Sequence, residues 1–252
     1  SNLNKLNMLT VRPKIIDADI VKILISSTIK YNPSLTTLTA GELEALTKST
    51  INQFDTNNLN GFDAIFRHSN LTKEIDAADS AILSNTTNIR LKKKLRPTIS
   101  TNAKGYTVSI GNALFNPHSG HNTDAGGITT TTGFKVGGDS VNTHFFDDDG
   151  KGNLRRYYLS GSTRIYKDNA AGTVNYSTGL ISINAIILTS TVNTDTSIDF
   201  TVIPSGNDVV AERGNLIDIS SDDIKVTAEV DTIASGESSA GVGFSTTSTS
   251  SY

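Results

Sequence analysis

The chain has 252 residues, with 22 basic and 25 acidic side chains, a net charge of −3, and no cysteine or tryptophan. That length supports one large domain or two modest ones with a core that needs no covalent staple. The missing thiols exclude disulfides, thiolate catalysis, iron–sulfur clusters and every cysteine-containing zinc site. Its 33 Thr and 28 Ser are far above ordinary usage, and with many Gly and Asn they predict strands joined by turns.

No apolar stretch approaches the roughly 20 residues that span a bilayer, and the start lacks a charged-then-apolar leader. The first residue is Ser and the only Met is Met8, which reads as an internal piece of a longer chain. Charge is uneven: through Arg96 there are 13 basic and 9 acidic residues, a net of +4, and beyond it 9 and 16, a net of −7. Helical patterns stop at the same point. The expected organisation is therefore an α+β domain over 1–96, a mainly antiparallel, sandwich-like β domain over 97–231, and an extended Ser/Thr/Gly-rich tail over 232–252.

The first predicted element is a strand within Pro13–Lys30, where Val21, Ile23, Ile25 and Ile29 share one face. Tyr31-Asn32-Pro33-Ser34 ends it with turn chemistry. Thr39-Ala40-Gly41-Glu42 is a capping box, and Leu43, Leu46, Ile51 and Phe54 follow at helical spacing. Ser69 is placed to cap a second helix carrying Leu71, Ile75, Ala78 and Ile82. Ser84–Leu95 then alternates, Thr87, Ile89, Leu91 and Leu95 against Arg90, Lys92 and Lys94. The order is strand, helix, helix, strand.

Beyond Pro97 short strands are predicted at 106–114, 131–136, 142–146, 154–159, 163–167, 172–176, 180–188, 196–203 and 224–230. Two hairpins stand out, one turning at Asp147–Asn153 between Phe145-Phe146 and Tyr157-Tyr158, the other at Tyr176-Ser-Thr-Gly179 with a glycine bulge. From Thr232 the composition is that of a disordered tail, which Val242, Phe244 and Tyr252 could hold against its own body or a neighbouring subunit.

Candidate chemistry is sparse. The basic run Arg90–Arg96 has no interleaved aromatics for base stacking and lies in an acidic protein, so it reads as the solvated face of a strand. Asp147-Asp148-Asp149-Gly150-Lys151-Gly152 resembles a calcium loop, but its fifth position is Lys151 and its twelfth Tyr158, which leaves a hairpin turn. His118, His121 and His144, with Asp124, form the one set that could converge on a metal, although no helix or strand spacing fixes them. His68 beside Ser69 lacks the strained Gly-x-Ser-x-Gly elbow, and Gly241-Val242-Gly243 lacks the helix that a phosphate loop requires. The reading is of a protein that is not an enzyme and takes no cofactor, with neither nucleic acid nor membrane as partner.

Several segments taken in order resemble a known family. They are Tyr31-Asn-Pro-Ser-Leu-Thr-Thr-Leu-Thr39, Phe66-Arg-His-Ser-Asn-Leu-Thr-Lys73, Ile89-Arg-Leu-Lys-Lys93, Gly172-Thr-Val-Asn-Tyr-Ser-Thr-Gly-Leu-Ile-Ser-Ile183 and Pro204-Ser-Gly-Asn-Asp-Val-Val210. Together they resemble the C-terminal part of the large baseplate wedge protein of T4-like contractile-tailed phages. The resemblance implies a virion structural protein of the tail baseplate, assembled in the host cytoplasm. It implies a homodimer that meets other wedge and hub proteins, joins wedges into a ring around the hub, and holds and then permits the rearrangement that triggers sheath contraction. It carries over no catalytic residue. Arg67, His68, Val242, Phe244 and Tyr252 are the candidate interface residues, and the +4 and −7 regions suggest head-to-tail charge complementarity between copies.

Two other functions compete. A β-rich adhesin or carbohydrate-binding module would present Phe145, Phe146, Tyr157 and Tyr158 as a platform, although strand alternation turns half of them inward. A hydrolase would use the His118, His121 and His144 group.

Overall fold

The computed structural model describes residues 19–119, 127–211 and 215–233. The first unit is as the periodicity predicts. Strand β1 (Asp19–Tyr31) buries Val21, Ile23, Ile25, Ser27, Ile29 and Tyr31 and turns the alternate residues outward. Helix α1 (Ala40–Asn58) opens on a formed capping box, in which Thr39 Oγ1 accepts from the Glu42 amide at 3.3 Å and Glu42 accepts from the Thr39 amide at 2.8 Å. Its buried stripe is Leu43, Thr47, Ile51 and Phe54, so Thr47 takes the inward position expected for Leu46.

The second helix differs from expectation at both ends. α2 (His68–Asp76) starts one residue before Ser69, and its N-cap, Arg67, makes no side-chain cap bond. The acceptor comes from across the chain, because Asp208 Oδ1 takes the His68 amide at 3.1 Å. The helix stops at Asp76, and Asp79 Oδ1 accepts from the Ala81 amide to turn the backbone. Ile82 therefore begins β3 (Ile82–Leu95) and belongs to no helix. A two-residue strand, β2 (Ile65–Phe66), lies between the helices.

After Arg96 come β4 (Lys104–Ser109), β5 (Thr130–Thr131), β6 (Phe134–Val136), β7 (Asp139–Asp148), β8 (Asn153–Ser160) and β9 (Thr163–Asn175). Then follow β10 (Leu180–Ile186), β11 (Leu188–Thr191), β12 (Ile198–Val202), β13 (Val209–Val210), β14 (Asn215–Asp218) and β15 (Ile224–Val230). The two strands expected at 163–167 and 172–176 are one 13-residue strand. Within it Gly172 faces the carbonyl of Ser182, at a spot where an added Cβ would lie 2.0 Å from that oxygen. The β9–β10 hairpin closes on Gly179 at φ +72° as expected.

These strands do not close a sandwich of their own. Among the described residues, seven form one antiparallel sheet in the order β11-β6-β7-β8-β9-β10-β4, while β12, β14, β15 and the short β5 join β1 and β3 in a mixed sheet. Strand β1 is antiparallel to β3 and parallel to both β14 and β15, which line its two halves end to end. The mixed sheet thus crosses the boundary expected at Pro97. The helices cover one face of it, α1 against β15 and α2 against β3. A single apolar core runs through both sheets, and Phe200 of β12 stacks at 6.1 Å on Phe146 of β7, which lies 4.6 Å from Phe134.

Candidate functional site

The histidines singled out for metal binding do not gather. His118 is exposed in the loop after β4, and His144 is 1% exposed within β7, its Nε2 3.0 Å from Asp139 Oδ2. His121 and Asp124 lie outside the described residues. Among the described residues no group of three or more His, Cys, Asp or Glu is placed to hold a metal ion.

The three consecutive aspartates separate by function because strand alternation sends neighbours to opposite faces. Asp147 is fully buried and accepts from Arg155 Nε at 2.9 Å, Arg164 Nη1 at 2.9 Å and Tyr166 Oη at 2.8 Å. Burial pushes its carboxyl up from the ordinary value, against the opposing pull of the tyrosine and the guanidiniums. Asp148, also fully buried, accepts from the Thr129 amide and from Tyr176 Oη, each at 2.7 Å. Burial and that carboxylate push the Tyr176 phenol far up. Asp149 shapes the turn by accepting from the Lys151 and Asn153 amides and the Asn153 side chain. Burial alone would raise Asp149, but the bonds from Asn153 and Lys151 outweigh it and hold it below the ordinary value. The Asp149 oxygens are taken up by the turn, as a hairpin requires.

The aromatic pairs flanking this hairpin divide between the faces. Phe146 is fully buried and Tyr157 is 6% exposed, while Phe145 and Tyr158 are half-buried. Phe145, Tyr157 and Tyr166 stand in a row at 5.6 Å spacings, with Arg155 stacked 4.4 Å over Tyr166 and Arg164 4.8 Å over Tyr157. Rings this close lie against one another and against guanidiniums, leaving little free face for a sugar. Around them the sheet exposes Val141, Leu159 and Val192, and the side chains of Val192, Thr143 and Phe145 meet above Gly133.

Of the candidate interface residues, Arg67 and His68 are engaged within the chain. Arg67 Nη1 pairs with Asp208 Oδ2 at 2.6 Å, and His68 Nε2 lies 2.9 Å from the Thr87 carbonyl. The Arg67 guanidinium and the His68 amide hold the Asp208 carboxyl below its usual range. Val242, Phe244 and Tyr252 lie outside the described residues.

The lysines of the basic run are likewise paired from within. Lys92 pairs with Asp223, Lys94 with Asp195 at 2.7 Å, and Lys22 with Asp218 at 3.5 Å and with the Ser220 hydroxyl. Every acid in these pairs lies between residues 195 and 223, so charge complementarity between the basic and acidic regions operates inside the chain. Lys93 alone of the run turns inward; it is 3% exposed, and its Nζ stands 2.7 Å from Asp19 Oδ1. Arg90, which has no ion pair among the described residues, stays exposed over a depression of about 740 Å³ floored by Leu24, Ser26, Asn88 and Thr201. These acidic partners were missed at the sequence level because an ion pair leaves no periodic trace along the chain.

No curated protein matches the chain. A family match covers the unit running from the first residue of β1 to the penultimate residue of β3: residues 19–94 match the family described as baseplate structural protein gp6, C-terminal domain III.

Proposed function

We propose that this chain is a structural protein of a phage tail baseplate, a wedge component that self-associates and helps link wedges into the ring around the hub. The observation that carries the reading is that residues 19–94, the strand–helix–helix–strand unit, match a baseplate structural domain. On this reading the chain meets other wedge and hub proteins, resides in the virion baseplate after assembly in the host cytoplasm, and works by being held rather than by turning over a substrate.

An assembly role needs surface to spare, and obligate interfaces bury about 2,000 Å² or more. The seven-stranded sheet exposes Val141 and Leu159, with Val192 just after β11, near the half-buried Phe145, and exposed apolar groups of this kind suit a contact site. Val242, Phe244 and Tyr252 add apolar groups to an otherwise polar tail, and Arg67 and His68 lie at the start of α2. We assign these residues to subunit contacts.

Light scattering on the purified chain at high micromolar concentration tests the reading. A stable oligomer is expected, weakened by Val141→Asp together with Val192→Asp. A strict monomer that also fails to capture purified wedge proteins overturns it.

A further inference from the structure

His144 packs between two aromatic rings, 6.4 Å from the Phe134 centroid and edge-on to Tyr158 at 5.9 Å. Its Nε2 faces the Asp139 carboxylate, an acceptor, so the neutral ring carries its proton there. The other nitrogen, Nδ1, is buried and meets no hydrogen-bond partner among the described residues. Asp139 is itself an organiser: its carboxylate accepts from the amides of Val141 and Asn142 and from the Asn142 side chain. These bonds shape the irregular stretch between the two register pairs that join β6 to β7, Phe134 with His144 and Val136 with Asp139. Both β7 partners in that junction are therefore the two ends of one side-chain bond. Among the described residues β11 alone lies beyond β6, at the margin of the sheet.

We propose that the His144–Asp139 bond is an acid-released latch on the β6–β11 margin of the seven-stranded sheet. A second proton on the ring places a charged N–H at Nδ1, where no acceptor waits among the described residues, and a buried charged donor left unpaired is costly. The ring can satisfy that donor only by leaving its place between Phe134 and Tyr158, which withdraws Nε2 from Asp139. The charged groups facing the ring act in both directions. Asp139 of β7 favours the imidazolium, while Lys135 of β6 and Arg156 of β8 oppose it. Burial is the largest influence and holds the imidazole below its ordinary 6.5. Below 6.5 the unfolded or released form then binds more protons than the latched one, so the latch is intact above that pH and is lost as pH falls through the lowered value.

Amide hydrogen exchange on the whole chain at pH 7.5 and 5.0, expressed as protection factors, reads the latch directly. Protection at 134–136 and 188–191 is expected to fall at pH 5.0 while that of β1 and β3 holds. In His144→Gln, whose amide can still donate to Asp139 but does not titrate, protection at those strands is expected to be the same at both pH values. Equal loss in the variant and the natural chain, or loss spread evenly over both sheets, overturns the proposal. An NMR titration of the His144 ring in the natural chain is independent of the variant's folding, and a midpoint above 6.5 overturns it as well.

Discussion

Asp147 shows what one side chain can cost when its surroundings are built around it. Its carboxylate is fully buried with two guanidiniums and a phenol donating to it. Removing it leaves the partly buried Arg155 and Arg164 without the carboxylate they pair with, and breaking a buried pair in this way typically costs about 3–5 kcal/mol. Asp147→Ala is expected to lower the unfolding free energy obtained from urea denaturation by an amount in that range, with an unchanged slope, whereas Arg164→Ala, at the more exposed partner, costs less. Asp195 makes the contrasting case at the surface. The Lys94 ammonium and the Ser197 hydroxyl hold its carboxyl down at about 2. A depressed carboxyl stabilises the fold above its unfolded value, here 3.8, and that contribution is lost as pH falls toward 2. Asp195→Asn is therefore expected to be less stable than the natural chain above pH 4 and indistinguishable from it near pH 2, as thermal melts across that range will read. Because the pair is exposed, the gap at pH 6 should be small.

Elements differ in how far their own residues specify them. Helix α1 carries its start signal within four residues, and Thr39→Ala removes the acceptor for the Glu42 amide. A loss of about 1 kcal/mol in chemical denaturation is expected. Helix α2 borrows its N-terminal acceptor from Asp208, 140 residues away in the chain. Asp208→Ala should therefore fray α2, seen as faster amide exchange at Asn70 and Leu71 with β9 and β10 unaffected. This is why the capping box was legible in the sequence and the true cap of α2 was not: the first is a local spacing, the second a product of the fold. The same distinction governs the glycines. Gly179 could be read as a hairpin residue from its neighbours, whereas Gly172 is needed because another strand's carbonyl approaches it.

At the scale of the molecule, the family-matched segment is not self-sufficient. Strand β1 takes its parallel partners from residues 215–230, β3 takes β12 from residues 198–202, and Lys22, Lys92 and Lys94 find acids between 195 and 223. The seven-stranded sheet is inserted between β3 and β12 along the chain. A fragment of residues 19–94 is expected to show no cooperative unfolding by calorimetry, while residues 19–233 should melt in one transition, since one apolar core spans both sheets. A fragment that melts cooperatively by itself would mean that the added strands decorate the first unit without completing it.

Side-chain periodicity and short-range turn chemistry were enough to place β1, α1, β3 and most later strands, because alternation and capping are properties of adjacent residues. They also indicated that the aromatic pairs flanking the 147–153 turn each send one member inward. Partner choice was beyond their reach. Which edge β1 shares, which acid answers each lysine, and whether the strands after Arg96 close on themselves or complete an earlier sheet depend on contacts between residues more than a hundred positions apart. A sheet face looks the same to its own strand whichever neighbour lies beside it, and only the packed molecule distinguishes them.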